Sequence, residues 1–147
     1  MKSKKVLLRA PLLTNSGYGI HSRQIFEWLY ERDDVELFVE CLQWGRTSWI
    51  LNESSENGLI GKVMTCSKPY NKGEIDISFQ VQLPDEWDTS LAKKNIGVSA
   101  FVETDRCNPE WISHCNKMTA IIVPSTFTKT VAKRSGVLTS PIHVIPE

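Results

Sequence analysis

The sequence carries no excess of charge. Its 147 residues hold 17 Lys and Arg against 17 Asp and Glu, a formal net charge of zero at pH 7. A balanced chain projects no strong field to steer nucleic acid or an anionic membrane, which argues against both as partners. Long apolar runs are also missing, since none approaches the roughly 20 residues that span a bilayer. The basic start, Met1-Lys2-Ser3-Lys4-Lys5, is followed only by Val6-Leu7-Leu8 before Arg9. That is too short for the apolar region of a signal peptide. The two absences together read as a cytoplasmic protein with no transmembrane segment. Cysteine is sparse: Cys41, Cys66, Cys107 and Cys115 form no C-x-x-C pair. Cys107, His114 and Cys115 are close enough to be considered as metal ligands, but their spacing fits no common zinc pattern. Reduced structural thiols and no metal are the expectation.

What is present is a regular alternation. Lys5 to Ala10, Val35 to Leu42, Ile75 to Val81, Asn95 to Val102, Met118 to Val123 and Pro141 to Ile145 read as strands. In the second of these, Val35, Leu37 and Val39 alternate against Glu36, Phe38 and Glu40. Gly17 to Arg32 reads as a helix whose apolar stripe is Ile25, Trp28, Leu29 and Arg32, widened by Phe26. Glu53 to Cys66 suggests an irregular helix broken by Gly58 and Gly61, and Asp85 to Lys94 a short helix or turn. Asn108 is a good N-cap with Pro109 at the first helical position and Glu110 just inside. Ser125 caps a last helix with the stripe Phe127, Val131 and Ala132; its capping box is incomplete, because Thr128 stands where a Glu would reciprocate. Lys129, Lys133 and Arg134 lie toward its C-terminal end, and Gly136 fits a left-handed closing position. Strands alternating with helices predict an α/β fold: one domain over residues 1–147, a mainly parallel sheet with β1 near its centre, and helices on both faces.

Several residues could carry chemistry. Gly17-Tyr18-Gly19 opens the first helix, where unpaired N–H groups and the positive dipole end favour phosphate. It can equally be a loop that merely starts a helix. If the backbone does approach phosphate, Gly19→Val should block it and leave the fold intact. A dinucleotide site would need a third glycine where Ser22 stands, with Glu40 as the ribose acid. Six residues separate Ala10 from Gly17, whereas a dinucleotide turn follows its strand at once, so this reading is disfavoured. Glu103-Thr104-Asp105 follows an expected central strand, at the edge where α/β ligands bind. Its carboxylates could accept from sugar hydroxyls or could cap a solvated turn. His21 could face an anion or lie exposed, whereas His114 and His143 are read as structural. Trp44, Trp49, Trp87 and Trp111 could stack on sugar rings, although a buried core is the commoner place for tryptophan. No Ser-His-Asp order or cysteine nucleophile setting can be recognised.

Taken in order, these pieces resemble the N-terminal domain of retaining GT-B-fold glycosyltransferases. The matching residues are Ser16-Gly17-Tyr18-Gly19, Glu103-Thr104-Asp105 with Pro109 and Trp111, Val123 to Thr128, Ser135-Gly136-Val137 and Val144 to Glu147. The resemblance implies a single Rossmann-like, three-layer domain that shapes the acceptor side of a cleft. It implies that Gly17, Tyr18 and Gly19 approach the donor phosphates. Cleft and sugar contacts would come from His21, Glu103, Thr104, Asp105, Ser125 and Thr126. The donor would be a nucleotide sugar, the acceptor a carbohydrate or other molecule, and no cofactor or metal would be needed for transfer. A second, donor-binding domain would follow Glu147, so the chain alone is expected to be inactive, and its uncovered inter-domain face could self-associate. A non-catalytic sugar-, nucleotide- or protein-binding module is the main alternative, and a nicotinamide-dependent oxidoreductase fragment a weaker one.

Overall fold

A computed structural model describes residues 3–101 and 107–146. The elements alternate as the sequence predicts. Strand β1 (Lys4–Ala10) leads to helix α1 (Gly17–Tyr30) and strand β2 (Val35–Cys41). Helix α2 (Leu59–Cys66) precedes β3 (Ile77–Val81) and β4 (Lys94–Val98). Helix α3 (Pro109–Cys115), β5 (Ala120–Val123), α4 (Thr126–Ser135) and β6 (Ile142–Val144) complete the order. All six strands join one sheet in the order β2-β1-β3-β4-β5-β6, and every pairing is parallel. With helices on both faces, this is a Rossmann-like α/β arrangement. Among the described residues no helix is long and apolar enough to cross a membrane.

Strand β1 stands second from an edge rather than at the centre, because only β2 lies outside it. The chain moves outward from β1 to β2, then passes back beyond β1 to β3. The direction of winding therefore reverses between β1 and β3. Such a reversal is the topological switch point at which open α/β sheets bind ligands.

Register sorts the side chains into two faces. Val6, Leu8, Leu37 and Val39 share one face with Phe26 and Leu29 of α1 and Ile60 and Val63 of α2. Ile121, Val123 and Ile142 share the other face with Ile112 and Cys115 of α3 and Val131 and Ala132 of α4. We call these the α1 face and the α4 face. Phe38 does not alternate outward as a solvent position. It packs on the α4 side of the sheet with Leu7, Ile75 and Leu91, so Leu37, Phe38 and Val39 are all buried. A parallel strand covered on both sides has no polar face to show.

The buried line of α1 is Gly19, Ser22, Arg23, Phe26 and Leu29. Of the stripe read from sequence, Leu29 and the widening Phe26 belong to it. Ile25 is half-buried, and Trp28 keeps 52 % of its surface exposed. Helix α2 starts only at Leu59, because Glu56, Asn57 and Gly58 all take left-handed φ values, 55°, 58° and 83°. Strand β4 stops at Val98 rather than running to residue 102, and Phe101 adopts φ 55° just beyond it. Gly136 is not left-handed: its φ of 172° is ordinary extended backbone. A Cβ there would lie 3.2 Å from the Ile112 side chain, so close packing of α3 on the end of α4 explains the glycine.

Candidate functional site

The carboxyl edge of the sheet gathers the loop after β1, the end of β4 and the start of α4. The first of these is far from a loose polar loop. Leu12 and Leu13 are buried core residues, and Arg23 lies beneath the turn at 7 % exposure. Its guanidinium donates to the carbonyls of Leu12 at 2.8 Å and Thr14 at 3.0 Å. Thr14 Oγ1 bonds the Pro11 carbonyl at 2.9 Å and the Ser16 hydroxyl at 2.8 Å. The loop after β2 straps it from outside: Asn15 N–H donates to Ser48 O at 2.9 Å, and Ile50 N–H to Leu13 O at 2.7 Å.

Ser16 is the N-cap of α1, and its Oγ accepts from Gly19 N–H at 2.9 Å. That bond occupies one of the donors a phosphate would use. Gly17 and Tyr18 supply the remaining first-turn N–H groups, which lack intrahelical acceptors by geometry. The two glycines differ. A Cβ on Gly17 meets nothing within 4 Å, whereas one on Gly19 would collide with the Thr14 carbonyl. Gly19 is therefore a packing glycine. Gly19→Val would disturb the loop itself, and Gly17 is the position that tests close approach.

Tyr18 joins the first strand's loop to the fourth strand. Its hydroxyl accepts from Ala100 N–H at 3.0 Å and lies 3.4 Å from Ser99 Oγ. Its ring stacks on Trp44 at 4.2 Å between centroids. Ser99 Oγ also accepts from Phe101 N–H at 3.1 Å, and Phe101 packs near Trp111 with ring centroids 6.1 Å apart. A phenylalanine held at positive φ beside a sheet edge is the kind of local strain that persists only when its surroundings enforce it. Glu103, Thr104 and Asp105, expected here from the sequence, lie outside the described residues.

On the other flank Ser125 caps α4, its Oγ accepting from Thr128 N–H at 3.1 Å. Thr128 Oγ1, at the glutamate position, bonds the Ser125 hydroxyl at 3.0 Å, whereas a capping-box Glu would accept from the Ser125 N–H. Thr126 is exposed on the first turn. His21 lies four residues beyond Gly17 on α1, beside Val98 at the end of β4 and Ile145 just past β6. It lines an apolar groove with Gln24, Ile25 and Trp28 on the α1 face. Trp49 is exposed, pairing by its backbone with Thr14, while Trp87 is buried and donates from its indole to Gln80 O at 3.0 Å.

A polar cluster escaped the sequence reading. Arg9 Nε pairs with Glu40 Oε2 at 3.2 Å, and Tyr70 O–H donates to the same oxygen at 3.0 Å. Arg9 Nη1 also reaches Gln82 Oε1 at 3.3 Å. Burial, aided by the Glu40 carboxylate, pushes the Tyr70 phenol up to about 12. The cluster joins β1, β2, the segment before β3 through Tyr70 and the segment after β3 through Gln82, on the α4 side of the switch point. Glu40, the one candidate for a ribose-binding acid, is thus engaged by Arg9 and Tyr70. Parallel register sets Arg9 opposite Glu40, and nothing in the linear sequence marks the pair. All four cysteines are free, and burial beside Cys107 pushes the Cys115 thiol up to about 12. Among the described residues no group of three or more His, Cys, Asp and Glu is placed to hold a metal ion.

Comparison of the sequence with protein-family models, with curated proteins and with solved structures finds no match.

Proposed function

We propose that this chain is the acceptor-side domain of a GT-B-type glycosyltransferase, contributing part of the cleft in which a sugar passes from a nucleotide sugar to an acceptor. The observation that carries this reading is the Tyr18 strut. It ties the capped N-terminus of α1, with its glycine opening, to the segment just past β4, across the winding reversal between β1 and β3. Gly17 and Tyr18 N–H groups face the donor phosphates in this reading, and the helix dipole adds to their attraction. Glu103, five residues past the end of β4, accepts from acceptor hydroxyls, and Ser125 and Thr126 line the same rim. Transfer itself needs a donor-binding domain, because holding donor and acceptor in one geometry is much of what a transferase supplies.

The test is a 15N–1H titration of this chain with nucleoside diphosphate sugars and, separately, with free oligosaccharides. The expected result is a cluster of shifted amides at Gly17, Tyr18, Ser99 and Thr126, with the diphosphate response lost in Gly17→Val at unchanged melting temperature. Shifts confined to other surfaces, or a Gly17→Val protein that responds like the parent, would defeat the proposal.

A further inference from the structure

The α1 face of the sheet is only partly covered. Helices α1 and α2 lie over β1 and β2, whereas α3 and α4 pack on the opposite side. Over β3, β4 and β5 the register aligns Ile77, Phe79, Ile96, Ala120 and Ile122 on the α1 face, and all five stay half-exposed. Against this strip the flank of α1 forms a groove of about 390 Å³, floored by Phe79, Val98 and Ile122, with Ile145 and Pro146 on the wall facing α1. Trp28 meets Phe79 edge-on at 6.3 Å and marks the lower end of the groove. A smaller recess of about 220 Å³ continues past these two rings toward the amino edge. The charged residues of that edge, Lys4, Arg32 and Asp34, line the recess and not the groove.

The groove is graded from end to end. Its polar lining is His21 and Gln24, both nearer the start of α1 than Trp28, and the remainder is apolar. Helix α1 starts at the carboxyl edge, so these two stand toward that edge, with Trp28 about 10 Å below His21. The mouth lies beside the candidate site. Val98 is two residues before Ala100, whose N–H donates to the Tyr18 hydroxyl, and His21 is one helical turn past Gly17. Size and shape select the occupant. A helix is about 10–12 Å across with its side chains, so over this length it fills roughly 800–1,100 Å³, more than twice what the groove holds. Pockets for single small molecules run from about 300 to 1,000 Å³, mostly apolar with a few polar groups that fix orientation. An aliphatic chain, whose contacts lie at about 4 Å, fits between the walls along the whole groove. A second copy would set the same concave patch against itself and leave it unfilled.

We propose that this groove seats the aliphatic tail of an amphiphilic acceptor: a sugar whose chain runs down between α1 and Ile145 while its hydroxyls stand at the carboxyl edge. The inference rests on the sugar-transfer reading and names the class of acceptor that the site takes. The tail covers Phe79 and Ile122 and ends on the Trp28 ring. It removes from water the apolar surface that a parallel sheet ordinarily hides under helices. His21 and Gln24 stand where the chain meets the sugar. The grading gives the ligand one direction, because the reverse would bury hydroxyls against Phe79 and Trp28 without hydrogen-bond partners.

The test titrates the chain with butyl, hexyl and octyl β-glucosides below the concentrations at which they form micelles, followed by calorimetry and by 15N–1H shifts. Each added methylene should tighten binding about two- to fourfold, the upper value being full burial, so octyl should bind at least roughly tenfold tighter than butyl. The longer chains should shift the amides of Ile25, Trp28 and Ile122. Trp28→Ala, at a half-exposed site, should weaken octyl binding about tenfold without moving the melting temperature. Affinity indifferent to chain length, binding only as micelles, indifference to Trp28→Ala, or octanol binding as tightly as octyl glucoside would overturn the proposal. So would a dimer in sedimentation that Trp28→Ala dissolves. Nucleotide-sugar shifts at Gly17 without a chain-length effect would refute the tail site and leave the transfer reading standing. A chain-length effect without those shifts would remove the transfer reading, and the acceptor role with it.

Discussion

Ile121 and Ile122 are neighbours in β5, and they occupy different surroundings. Ile121 is wholly buried among α3, α4 and β6 on the α4 face. Ile122 is half-exposed and floors the open groove on the α1 face. The same contrast divides the α1 face itself, closed over β1 and β2 and open over β3 to β5. Strand order explains it. All the connections after β3 add strands in one direction, and the helices among them, α3 and α4, pack on one side. The helices that cover the other side belong to the two strands at the opposite end. A sheet can thus have helices on both faces and still leave half of one face uncovered.

The largest expected effect tests this contrast directly. Ile121→Ala should cost about 2–5 kcal/mol, as large-to-small changes in a closed core do. Ile122→Ala should cost less than half of that, since water already reaches the site. Equal losses in urea unfolding would show that the open face is closed in solution. The two glycines of the α1 opening give the next largest difference. Gly19→Ala drives a methyl into the Thr14 carbonyl and should lower stability by about 1–3 kcal/mol, the range of an overpacked core. Gly17→Ala, in open space, should be neutral or gain up to about 1 kcal/mol by restricting the unfolded chain. Thermal melts of the pair would separate them.

Smaller effects should appear with pH, and they sharpen the account of the closed side. Cys115 and Tyr70 are both pushed up to about 12 by burial, so the folded state prefers their neutral forms. Above the ordinary thiol value the unfolded chain loses the Cys115 proton while the folded chain keeps it. Stability should therefore fall as pH rises from about 8.5 toward 12, and Cys115→Ala should flatten the thiol part of that slope. A steeper fall in Cys115→Ala would contradict the assignment. Smallest of all is the acid limb at Asp76, held below the usual aspartate range by the Lys5 backbone N–H and by Lys93. Its contribution is present above the ordinary aspartate value and is lost as pH falls through the lowered one. Asp76→Asn should make unfolding less sensitive to acid, measured between pH 5 and about 2.

Much of the fold was legible in the sequence. All six strands form where alternation and apolar runs place them, although β4 ends at Val98, short of the residue 102 expected, and both Ser125 and Asn108 cap the helices they were expected to cap. What was not legible depends on partners distant in sequence. The buried face of α1 includes Ser22 and Arg23, which hydrophobic periodicity cannot count as core. Arg23 is buried because loop carbonyls, not apolar neighbours, surround its head group. Trp28 read as core because it shares a helical stripe with Leu29, yet the surface it faces is the open part of the sheet. Gly136 fits a left-handed cap by its place after α4, while its actual constraint is Ile112, from a different helix. At the carboxyl edge, Gly17, Tyr18 and Gly19 were found from local pattern. The bond from Tyr18 to Ala100 and the Arg9–Glu40–Tyr70 cluster needed the register of the sheet.

The Arg23 anchor has a kinetic consequence. Six bonds fix residues 12–16 from below, from within and from the strap at Ser48 and Ile50. If a ligand binds at Gly17 as proposed, a loop held so completely has no slow opening to undergo first. Association at that edge should then be a single exponential whose rate rises linearly with ligand concentration, without the plateau that a gating step imposes. Arg23→Met, which keeps bulk but donates no bonds, should introduce the plateau, because the loop would have to find its shape at each encounter.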